Sequence, residues 1–386
     1  MKSLYRSLKD CDKVLLFLTI LMISYGLLNI VTASSRQAVS QDVPLYYYFY
    51  KQSQMILIGG FVSLFILCTD TKKYKNFVWL LYGGILFVLI LLLTEGSSHR
   101  GSINWISIAG VKFQPSEFAK PVLIASLAIF LERLYAVFRK KEISHVIFII
   151  LFLVVGMLFP LIVIYQKDFG TGMILLGIFG ILFLASPILR IEKLKTIVII
   201  GIVGIIGILG LLATGHEILT EEQLSRFDFF NPCSNYEDGG YQICNGFIAI
   251  HDGGLFGLGI GKSKQKYSYI PEPHTDSVFA IIVEEYGLIF SLGILLIFLI
   301  ILYRILRISA QASTLRGRYI ALGVATYMFL HILINLGGLF GIMPLTGVPL
   351  PFLSYGGSFT ISLICSLAMV QRIHIETKRK NLQKII

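Results

Sequence analysis

Charged residues are scarce in this chain of 386 residues, and the scarcity limits what the protein can be. Asp, Glu, Lys and Arg make up 14% of the residues, against about 25% in an average soluble domain. Hydrophobic residues reach 55%, and the mean hydropathy is +0.78. So little charge cannot cover a water-facing surface. The composition therefore excludes a cytosolic enzyme, a disordered scaffold and a small disulfide-rich secreted fold, and it indicates a polytopic membrane protein.

Acidic residues and cysteines are few as well. The 22 acidic residues against 33 basic ones give a formal net charge of +11. In a membrane protein such an excess sets orientation, so no nucleic-acid partner is expected. The five cysteines are too scattered for a metal site or a disulfide framework. No cleavable signal peptide is predicted, because the first apolar stretch has no small-residue cleavage site and is long enough to span.

Ten apolar stretches approach the length of about 20 residues that crosses a bilayer, and they predict an all-α fold with ten transmembrane helices. With both termini in the cytoplasm, 23 of the 33 Lys and Arg residues fall in cytoplasmic segments, as the positive-inside rule requires. We therefore expect one membrane domain over residues 1–386. The stretches lie at about 14–33, 54–69, 77–94, 117–132, 145–165, 170–187, 194–213, 276–302, 319–340 and 355–371.

Two segments interrupt this pattern. Residues 214–275 form a long extracellular loop between predicted helices 7 and 8, and a loop of that length is usually functional or disordered. Its Tyr, Phe and Gly content predicts an ordered loop that lies against the membrane surface. Residues 159–172 form a polar, glycine-containing break between two spans. Non-helical backbone at that depth has to line a cavity or be buried in protein.

The first polar cluster is the run Gln114-Pro-Ser-Glu-Phe-Ala-Lys-Pro121 at the start of the fourth predicted span. Pro115 suits the first turn of a helix. Glu117 and Lys120 are three residues apart, so they share one helical face. One interpretation is an ion pair that satisfies itself at a helix entrance. The other is a site in which Lys120 faces an anionic substrate and Glu117 orients that substrate or a bound cation.

The second cluster lies at residues 271–285, where the long loop enters the eighth predicted span. The partly desolvated position of Asp276 suits a general base, and the alternative is that Thr275 and Asp276 cap the helix. Glu284 lies eight residues later, about 12 Å deeper, so it cannot reach the same atom. Glu284 and Glu285 stand inside an apolar helix and must find buried partners there, which gives them a structural interpretation.

The third cluster is a glycine-rich turn followed by lysines, at residues 253–266. It resembles a nucleotide-binding phosphate loop, but Phe256 occupies the position of the first required glycine and no strand precedes it. We therefore reject nucleotide binding. Lys262, Lys264 and Lys266 could still hold a phosphate or an anionic lipid headgroup, and a solvated basic loop is the alternative.

Two smaller features add to these clusters. His331 and Asn335 are four residues apart in the ninth predicted span, which favours hydrogen bonds between helices. Cys233 and Cys244 both fall in the extracellular loop, where an oxidising environment permits a disulfide. Two free thiols are the alternative.

In this order the clusters resemble the SEDS family (shape, elongation, division and sporulation), whose members polymerise peptidoglycan glycan strands from lipid II. The resemblance covers nearly the whole chain. It rests on the run at 114–120, Gln-x-Asp-x-Gly-Thr at 166–171, Gly-Tyr-Gln at 240–242, Pro-Glu-x-His-Thr-Asp at 271–276 with Glu-Glu at 284–285, and Pro-Leu-Pro-Phe-Leu-Ser-Tyr-Gly-Gly-Ser at 349–358. The lysines after the glycine-rich turn resemble the division branch, FtsW, more than the elongation branch, RodA. The sporulation branch, SpoVE, is closer to FtsW.

The resemblance implies a peptidoglycan glycosyltransferase. Such an enzyme joins the GlcNAc 4-hydroxyl of one lipid II to the MurNAc anomeric carbon of a lipid-linked strand and releases undecaprenyl pyrophosphate. Asp276 falls on the essential aspartate of the family, the expected base for that hydroxyl. Lys120 is the expected counter-charge for the pyrophosphate, and a divalent cation, Mg or Mn, would use Glu117 and Asp168. The expected substrate contacts are Gln114, Glu117, Lys120, Asp168 and Lys262.

The resemblance also implies a location and partners. We expect a site on the outer face of the bacterial cytoplasmic membrane, at the division septum. The expected partners are a class B penicillin-binding protein, which supplies the transpeptidase that this chain lacks, and other membrane proteins of the division machinery. Four positions depart from the family pattern: Asn104, Lys167, Phe169 and Ser277.

The sequence leaves two other functions to weigh. A lipid II flippase would also use charged residues within spans and a broken helix. However, the sequence has no evident inverted repeat, and its acidic residues lie on one side rather than at the midplane. A scaffold that only recruits the transpeptidase would leave the intramembrane carboxylates unexplained.

Overall fold

The protein consists almost entirely of α-helices in a computed structural model that describes residues 2–95, 97–99, 102–108, 111–139, 144–213, 232–234, 240–268, 270 and 273–385. Three short strands interrupt the helices: β1 (Ser97–His99), β2 (Ser102–Ile108) and β3 (Val111–Phe113). In chain order the helices are α1 (Lys2–Asp10), α2 (Lys13–Ala33), α3 (Ser35–Ser40), α4 (Tyr47–Cys68), α5 (Thr71–Glu95), α6 (Pro115–Arg139), α7 (His145–Tyr165), α8 (Phe169–Ala185), α9 (Arg190–Ala213), α10 (Tyr241–Gly253), α11 (Gln265–Ser268), α12 (Val278–Gln311), α13 (Leu315–Leu339) and α14 (Gly357–Ile385).

Seven helices in the described part of the chain are long and apolar enough to cross a membrane, namely α2, α4, α5, α7, α12, α13 and α14. α8 is a shorter apolar helix of 17 residues. Large apolar side chains such as Phe17, Phe61 and Phe87 are exposed on these helices, which water would penalise and lipid stabilises. Each of the ten predicted stretches coincides with one helix. The count of ten spans and the side of each terminus stay predictions.

The prediction of a purely helical chain is wrong for the segment between α5 and α6. There β1, β2 and β3 form an antiparallel sheet in that order, and β2 pairs Ile106 with Phe113 and Ile108 with Val111. Polar and apolar residues alternate from Ser102 to Trp105, which is the pattern of a strand with two different faces. The hydropathy of whole spans does not detect so short an alternation.

α13 is the central helix of the bundle. It packs against α6, α8, α12 and α14, and its buried residues include Tyr327, His331 and Asn335. Because protein surrounds α13 on most sides, its polar residues can hydrogen-bond to neighbouring elements. The helix therefore carries contacts to several neighbouring elements.

Ion pairs join four helices at the end of the bundle where α13 begins. The Arg316 guanidinium donates to Glu132 of α6 at 2.6 Å and to the Thr71 hydroxyl of α5 at 3.3 Å. The backbone amide and hydroxyl of Thr71 both donate to Glu376 of α14 at 2.6 Å. Arg372 pairs with the same Glu376 carboxylate at 3.2 Å. This network ties α5, α6, α13 and α14 together away from the clusters that the sequence singles out.

The long loop carries helical structure in its described part. α10 packs against α12, and residues 214–231 and 235–239 of the predicted loop lie outside the described residues. The structure pairs Cys233 with Cys244, at the start of α10, in a disulfide. In its described part, the loop is thus held on the helix bundle through α10.

The glycine-rich turn after α10 fills a break in α12. The helix is interrupted at Gly287, which has φ 85° and ψ 169°. A Cβ atom at Gly287 would lie 2.4 Å from the Leu255 carbonyl oxygen, and one at Gly257 would lie 2.3 Å from the Glu285 carbonyl oxygen. Both positions have positive φ, so only glycine fits them. Backbone hydrogen bonds between residues 254–259 and 284–289 satisfy the groups that the break exposes.

Glu284 and Glu285 find their buried partners on the same loop. Glu284 accepts hydrogen bonds from the Ser263 hydroxyl at 2.5 Å and from the backbone amides of Lys264 and Gln265 at 2.7 and 3.3 Å. Glu285 forms an ion pair with Lys266 at 2.6 Å, and both side chains are buried. Lys266 is therefore not available to an anion, whereas Lys262 and Lys264 are exposed.

The disulfide predicts a distinct labelling pattern. We expect alkylation of the unfolded, unreduced protein to modify Cys11, Cys68 and Cys365, because these are the free thiols, and to modify all five cysteines only after reduction. Mass spectrometry of the proteolytic peptides measures this. Modification of Cys233 or Cys244 before reduction would contradict the pairing.

The buried ion pair predicts a large loss of stability when one partner is removed. Lys266→Met should destabilise the protein by about 3–5 kcal/mol, because Glu285 would keep a buried charge without its partner. The double variant Lys266→Met, Glu285→Gln should recover much of that loss. Unfolding in detergent measures both, and Lys264→Met, which changes an exposed lysine of the same loop, is the control. Equal stability of Lys266→Met and this control is the outcome that excludes the ion pair.

Candidate active site

Lys120 of α6 is completely buried, and its ammonium group lies between two partners. The Nζ atom donates to Glu117 Oε1 at 2.7 Å and lies 3.0 Å from His331 Nε2. Because an ammonium group only donates, Nε2 accepts and the ring proton is on Nδ1. That atom lies 3.0 Å from the Pro349 carbonyl oxygen, to which it donates. The predicted Glu117–Lys120 pair therefore exists, but it belongs to a larger group that includes α13.

Pro121 gives this ion pair a further anchor. A proline within a helix has no N–H for the carbonyl oxygen four residues earlier, so the Glu117 carbonyl oxygen lacks its helical donor. The Ser362 hydroxyl of α14 donates to that oxygen at 2.8 Å. α6 continues through Pro121 to Arg139. The proline thus creates an acceptor that fixes α14 beside Glu117.

Asp168 stands at the predicted break and begins α8. Its Oδ1 accepts from the Thr171 backbone amide at 3.2 Å, and its Oδ2 accepts from the side-chain amides of Gln114 at 3.1 Å and Asn104 at 3.0 Å. Lys167 has φ 61°, which turns the chain sharply between α7 and α8. Asp168 thereby joins Gln114 and the small sheet to the bundle. It is also close enough to interact electrostatically with both charges of the α6 ion pair.

Asp276 lies two residues before α12 and is buried. Its Oδ1 accepts from Gln242 Nε2 at 3.2 Å and from the Thr275 hydroxyl at 3.0 Å. Gln242 Nε2 also donates to the Ser277 hydroxyl at 2.8 Å. The N-cap position of α12 is Ser277, without a side-chain capping bond. Helix capping is therefore not what holds Asp276, because its carboxylate bonds to Gln242 and Thr275.

α13 connects the segment that carries Asp276 to the Lys120 group, which consists of Glu117, Lys120 and His331. Asn335 Nδ2 donates to the backbone carbonyl oxygens of Asp276 and Val348, both at 2.8 Å. His331, which holds Lys120, is four residues earlier on the same helix, about 6 Å along its axis. The predicted hydrogen bonds of His331 and Asn335 between elements are thus present, and they hold the two clusters one helical turn apart.

The segment that joins α13 to α14 brings the start of α8 to the same place. A Cβ atom at Gly170 would lie 2.9 Å from the Val348 side chain, and one at Gly347 would lie 3.9 Å from Asp276 Oδ2. Gly170 is two residues after Asp168. Three of the predicted site residues, Asp168, Lys120 and Asp276, therefore surround one short segment at one end of the bundle.

His274 lies in an aromatic cluster beside Asp276. Its ring is 4.8 Å from the ring of Tyr48 and 5.5 Å from that of Tyr355, measured between centroids. Burial lowers the pKa of His274 to about 4, so the ring is neutral at neutral pH. His274 therefore adds no positive charge next to the Asp276 carboxylate.

The predicted cation has two carboxylates to use. No three His, Cys, Asp or Glu side chains in the described part of the chain lie close enough to hold a metal ion. Glu117 Oε2 is buried and has no hydrogen-bond partner among the described residues, while Asp168 Oδ2 is occupied by two amides. Carboxylate oxygens are the ligands that Mg²⁺ and Mn²⁺ prefer. The cation site stays a prediction.

The structure brings most predicted residues together and adds others. Lys262 is exposed in the glycine-rich loop, and no contact among the described residues joins it to Asp276 or Lys120. The polar residues that hold the predicted charges are Asn104, Gln242, His331 and Asn335, of which the sequence singles out His331 and Asn335 for hydrogen bonds between helices. Gln242 could have been found from its motif at 240–242, and Asn104 from the strand alternation around it.

In this structure, long apolar helices enclose an ammonium group and carboxylates at one end of the bundle. The protein is therefore a polytopic membrane protein with a buried polar site.

The chain belongs to the FtsW/RodA/SpoVE family, because the family model described as "Cell cycle protein" matches residues 12–379. Stage V sporulation protein E of Bacillus subtilis (strain 168) is 32% identical over 371 residues, 94% of this chain and 96% of that protein. The probable peptidoglycan glycosyltransferase FtsW of the same strain is 32% identical over 392 residues, 97% and 93%.

Solved structures share the fold. A chain from work on structural coordination of polymerization and crosslinking by a peptidoglycan synthase complex has a TM-score of 0.74 at 22% identity, covering 95% of this chain and 98% of that one. The rod shape determining protein RodA of Thermus thermophilus has a TM-score of 0.67 at 24% identity, covering 94% and 96%. At such identities the likeness concerns the fold alone.

The Lys120 group predicts a cost for removing its histidine. His331→Phe keeps a ring against Phe359, whose centroid is 4.5 Å away, but it leaves Lys120 and the Pro349 carbonyl oxygen each without one bond. We expect a loss of about 2–5 kcal/mol of stability, measured by unfolding in detergent. His251→Phe, an exposed histidine of α10, is the control. A His331→Phe protein as stable as this control would show that the imidazole contributes only its ring.

Proposed function

We propose that the protein is a peptidoglycan glycosyltransferase that polymerises lipid II on the outer face of the bacterial cytoplasmic membrane, with Asp276 as the general base. The observation that carries the proposal is the geometry of Asp276, a buried carboxylate oriented by Gln242 and placed one helical turn of α13 from the Lys120 group. The names of the FtsW relatives, probable peptidoglycan glycosyltransferases, support the same reaction.

The proposed reaction is a glycosyl transfer at an anomeric carbon. The Asp276 carboxylate takes the proton of the GlcNAc 4-hydroxyl, and that oxygen attacks the MurNAc anomeric carbon of the lipid-linked strand. The bond from this carbon to the pyrophosphate oxygen breaks, and undecaprenyl pyrophosphate leaves with the electron pair. Lys120 offsets negative charge near the leaving group, with Glu117, Asp168 and Gln114 holding the surrounding geometry. Lys262 contacts the lipid-linked substrate from the loop.

We propose ten transmembrane helices with both termini in the cytoplasm. This layout places 23 of the 33 Lys and Arg residues on the cytoplasmic side. It also puts the starts of α6, α8 and α12, which carry the candidate site, at the outer end of the bundle. The opposite end holds Arg316 and Arg372, in agreement with a cytoplasmic location.

We further propose that the protein acts in septal wall synthesis with a class B penicillin-binding protein and other division proteins. The FtsW relative supports this role, and the sporulation relative is equally identical, at 32%, so a sporulation-type polymerase is the second candidate. A chain of the same fold comes from work on a peptidoglycan synthase complex that coordinates polymerization and crosslinking, in agreement with a crosslinking partner. A transpeptidase partner fits a chain whose site performs polymerisation alone.

The proposal predicts that Asp276→Asn abolishes polymerisation. The isosteric amide still accepts from Gln242 but no longer takes a proton, so we expect at least about a 100-fold loss of rate. The measurement is glycan synthesis from lipid II by the purified protein with its transpeptidase partner. Asp42→Asn is the matched control, because Asp42 is exposed with φ 52°, which asparagine adopts well.

Two outcomes would count against the proposal. Polymer synthesis by Asp276→Asn at the rate of the control refutes Asp276 as the base. Lipid II translocation in vesicles by the unmodified protein, without any polymer, favours a flippase instead. Translocation that persists in Asp276→Asn while polymerisation is lost would separate the two activities and keep the base assignment.

A further inference from the structure

We propose that Gln242 is a positioning residue for Asp276, holding one carboxylate oxygen so that the other accepts the proton in the transfer. The inference rests on the proposed role of Asp276 as the base. Gln242 is the second residue of α10, and its Nε2 donates both to Asp276 Oδ1 at 3.2 Å and to the Ser277 hydroxyl at 2.8 Å. A side-chain amide nitrogen carries two protons, so both bonds form at once.

Helix α10 fixes the Gln242 side chain in place. Near its start, a disulfide ties Cys244, two residues after Gln242, to Cys233 of the same loop. Near its end, a Cβ atom at Gly253 would lie 2.3 Å from the Val283 carbonyl oxygen, so the helix lies directly on α12 there. The helix is thus held on α12 near its end, and near its start the Gln242 amide is held by its bonds to Asp276 and Ser277. A donor fixed in advance loses little entropy when the carboxylate needs it.

Two of the donors to the Asp276 carboxylate bond the same oxygen. Gln242 and the Thr275 hydroxyl both donate to Oδ1, and Oδ2 lies toward Gly347. A Cβ atom at Gly347 would meet Oδ2 at 3.9 Å. Because glycine has no side chain, the position of that Cβ adjoins Oδ2, and among the described residues outside its chain neighbours no other atom lies within 4 Å of it. In this proposal the substrate hydroxyl occupies that position. Gln242 thus holds Oδ1, while Oδ2 is the oxygen that lies at that space.

Hydrogen bonds to a carboxylate favour its charged form, so removing the Gln242 amide should shift the pH at which Asp276 becomes active. Replacing Gln242 by methionine changes no titratable neighbour, which makes the pH profile of that variant specific to Asp276. Titratable side chains at this end of the elements around Asp276 include Glu117, Lys120, Asp168, Tyr241, His251, Asp252, Lys266, His274, Glu284, Glu285, Tyr286, Tyr327, His331 and Tyr355.

The test compares Gln242→Met, which keeps the length but lacks the donor, with Gln242→Glu, which keeps the shape. For Gln242→Met we expect kcat for lipid II polymerisation to fall about tenfold with KM changed less than about twofold, and the acid limb of the kcat profile to move up by about one pH unit. For Gln242→Glu the limb should move further, because a second carboxylate opposes ionisation of the first. Gln311→Met, an exposed glutamine at the far end of α12, should leave both unchanged.

The outcomes separate this inference from the proposed function. An unshifted acid limb in both variants overturns the inference, whether kcat falls or not, because a purely structural role would lower the rate alone. An unmodified protein that makes no polymer counts against the proposed function instead. Should Gln242→Met not fold, the acid limb of the isosteric Gln242→Glu decides the question.

Discussion

The buried carboxylates of Glu284 and Glu285 determine how the rest of this end of the molecule is arranged. Charges inside an apolar helix are costly unless donors surround them, and here the donors come from residues 263–266 of the glycine-rich loop. That loop joins α10 to the segment before α12. The two carboxylates therefore hold together the helix that carries Gln242 and the segment that carries Asp276, although neither glutamate touches Asp276 in the described contacts.

Close backbone contacts and polar hydrogen bonds hold these helices together, as the hydrophobic effect does in soluble proteins. Lipid is as apolar as the helix surfaces, so apolar burial gives little preference for one helix partner over another. Gly257 and Gly287 let the loop enter the break in α12. The Ser362 hydroxyl donates to the Glu117 carbonyl oxygen, which Pro121 leaves without a helical donor. Each of these contacts is specific to one partner, which fixes the arrangement of the helices.

Much of the fold and part of the site follow from the sequence, and there is a physical reason why the rest does not. Hydropathy shows where the long helices lie, and the cost of burying charge marks Glu117, Lys120 and Asp276 as unusual from their sequence positions alone. The partner of each charge is set by tertiary contact, as with Lys120 and His331, 211 residues apart. The strand at Asn104 and the pairing of Lys266 with Glu285 depend on such contacts, so composition and hydropathy do not reveal them.

Under the proposed function, the spacing along α13 matters more than any single side chain. Glycosyl transfer needs a base at the incoming hydroxyl and positive charge near the departing pyrophosphate, held at a fixed separation. His331 holds Lys120 and Asn335 holds the Asp276 backbone, one turn apart on a helix that is buried along most of its length. A rigid helix sets that separation without relying on loops, whose own positions depend on Glu284 and Glu285. The glycine-rich loop holds α10 beside α12, and through Gln242 α10 then orients the Asp276 carboxylate.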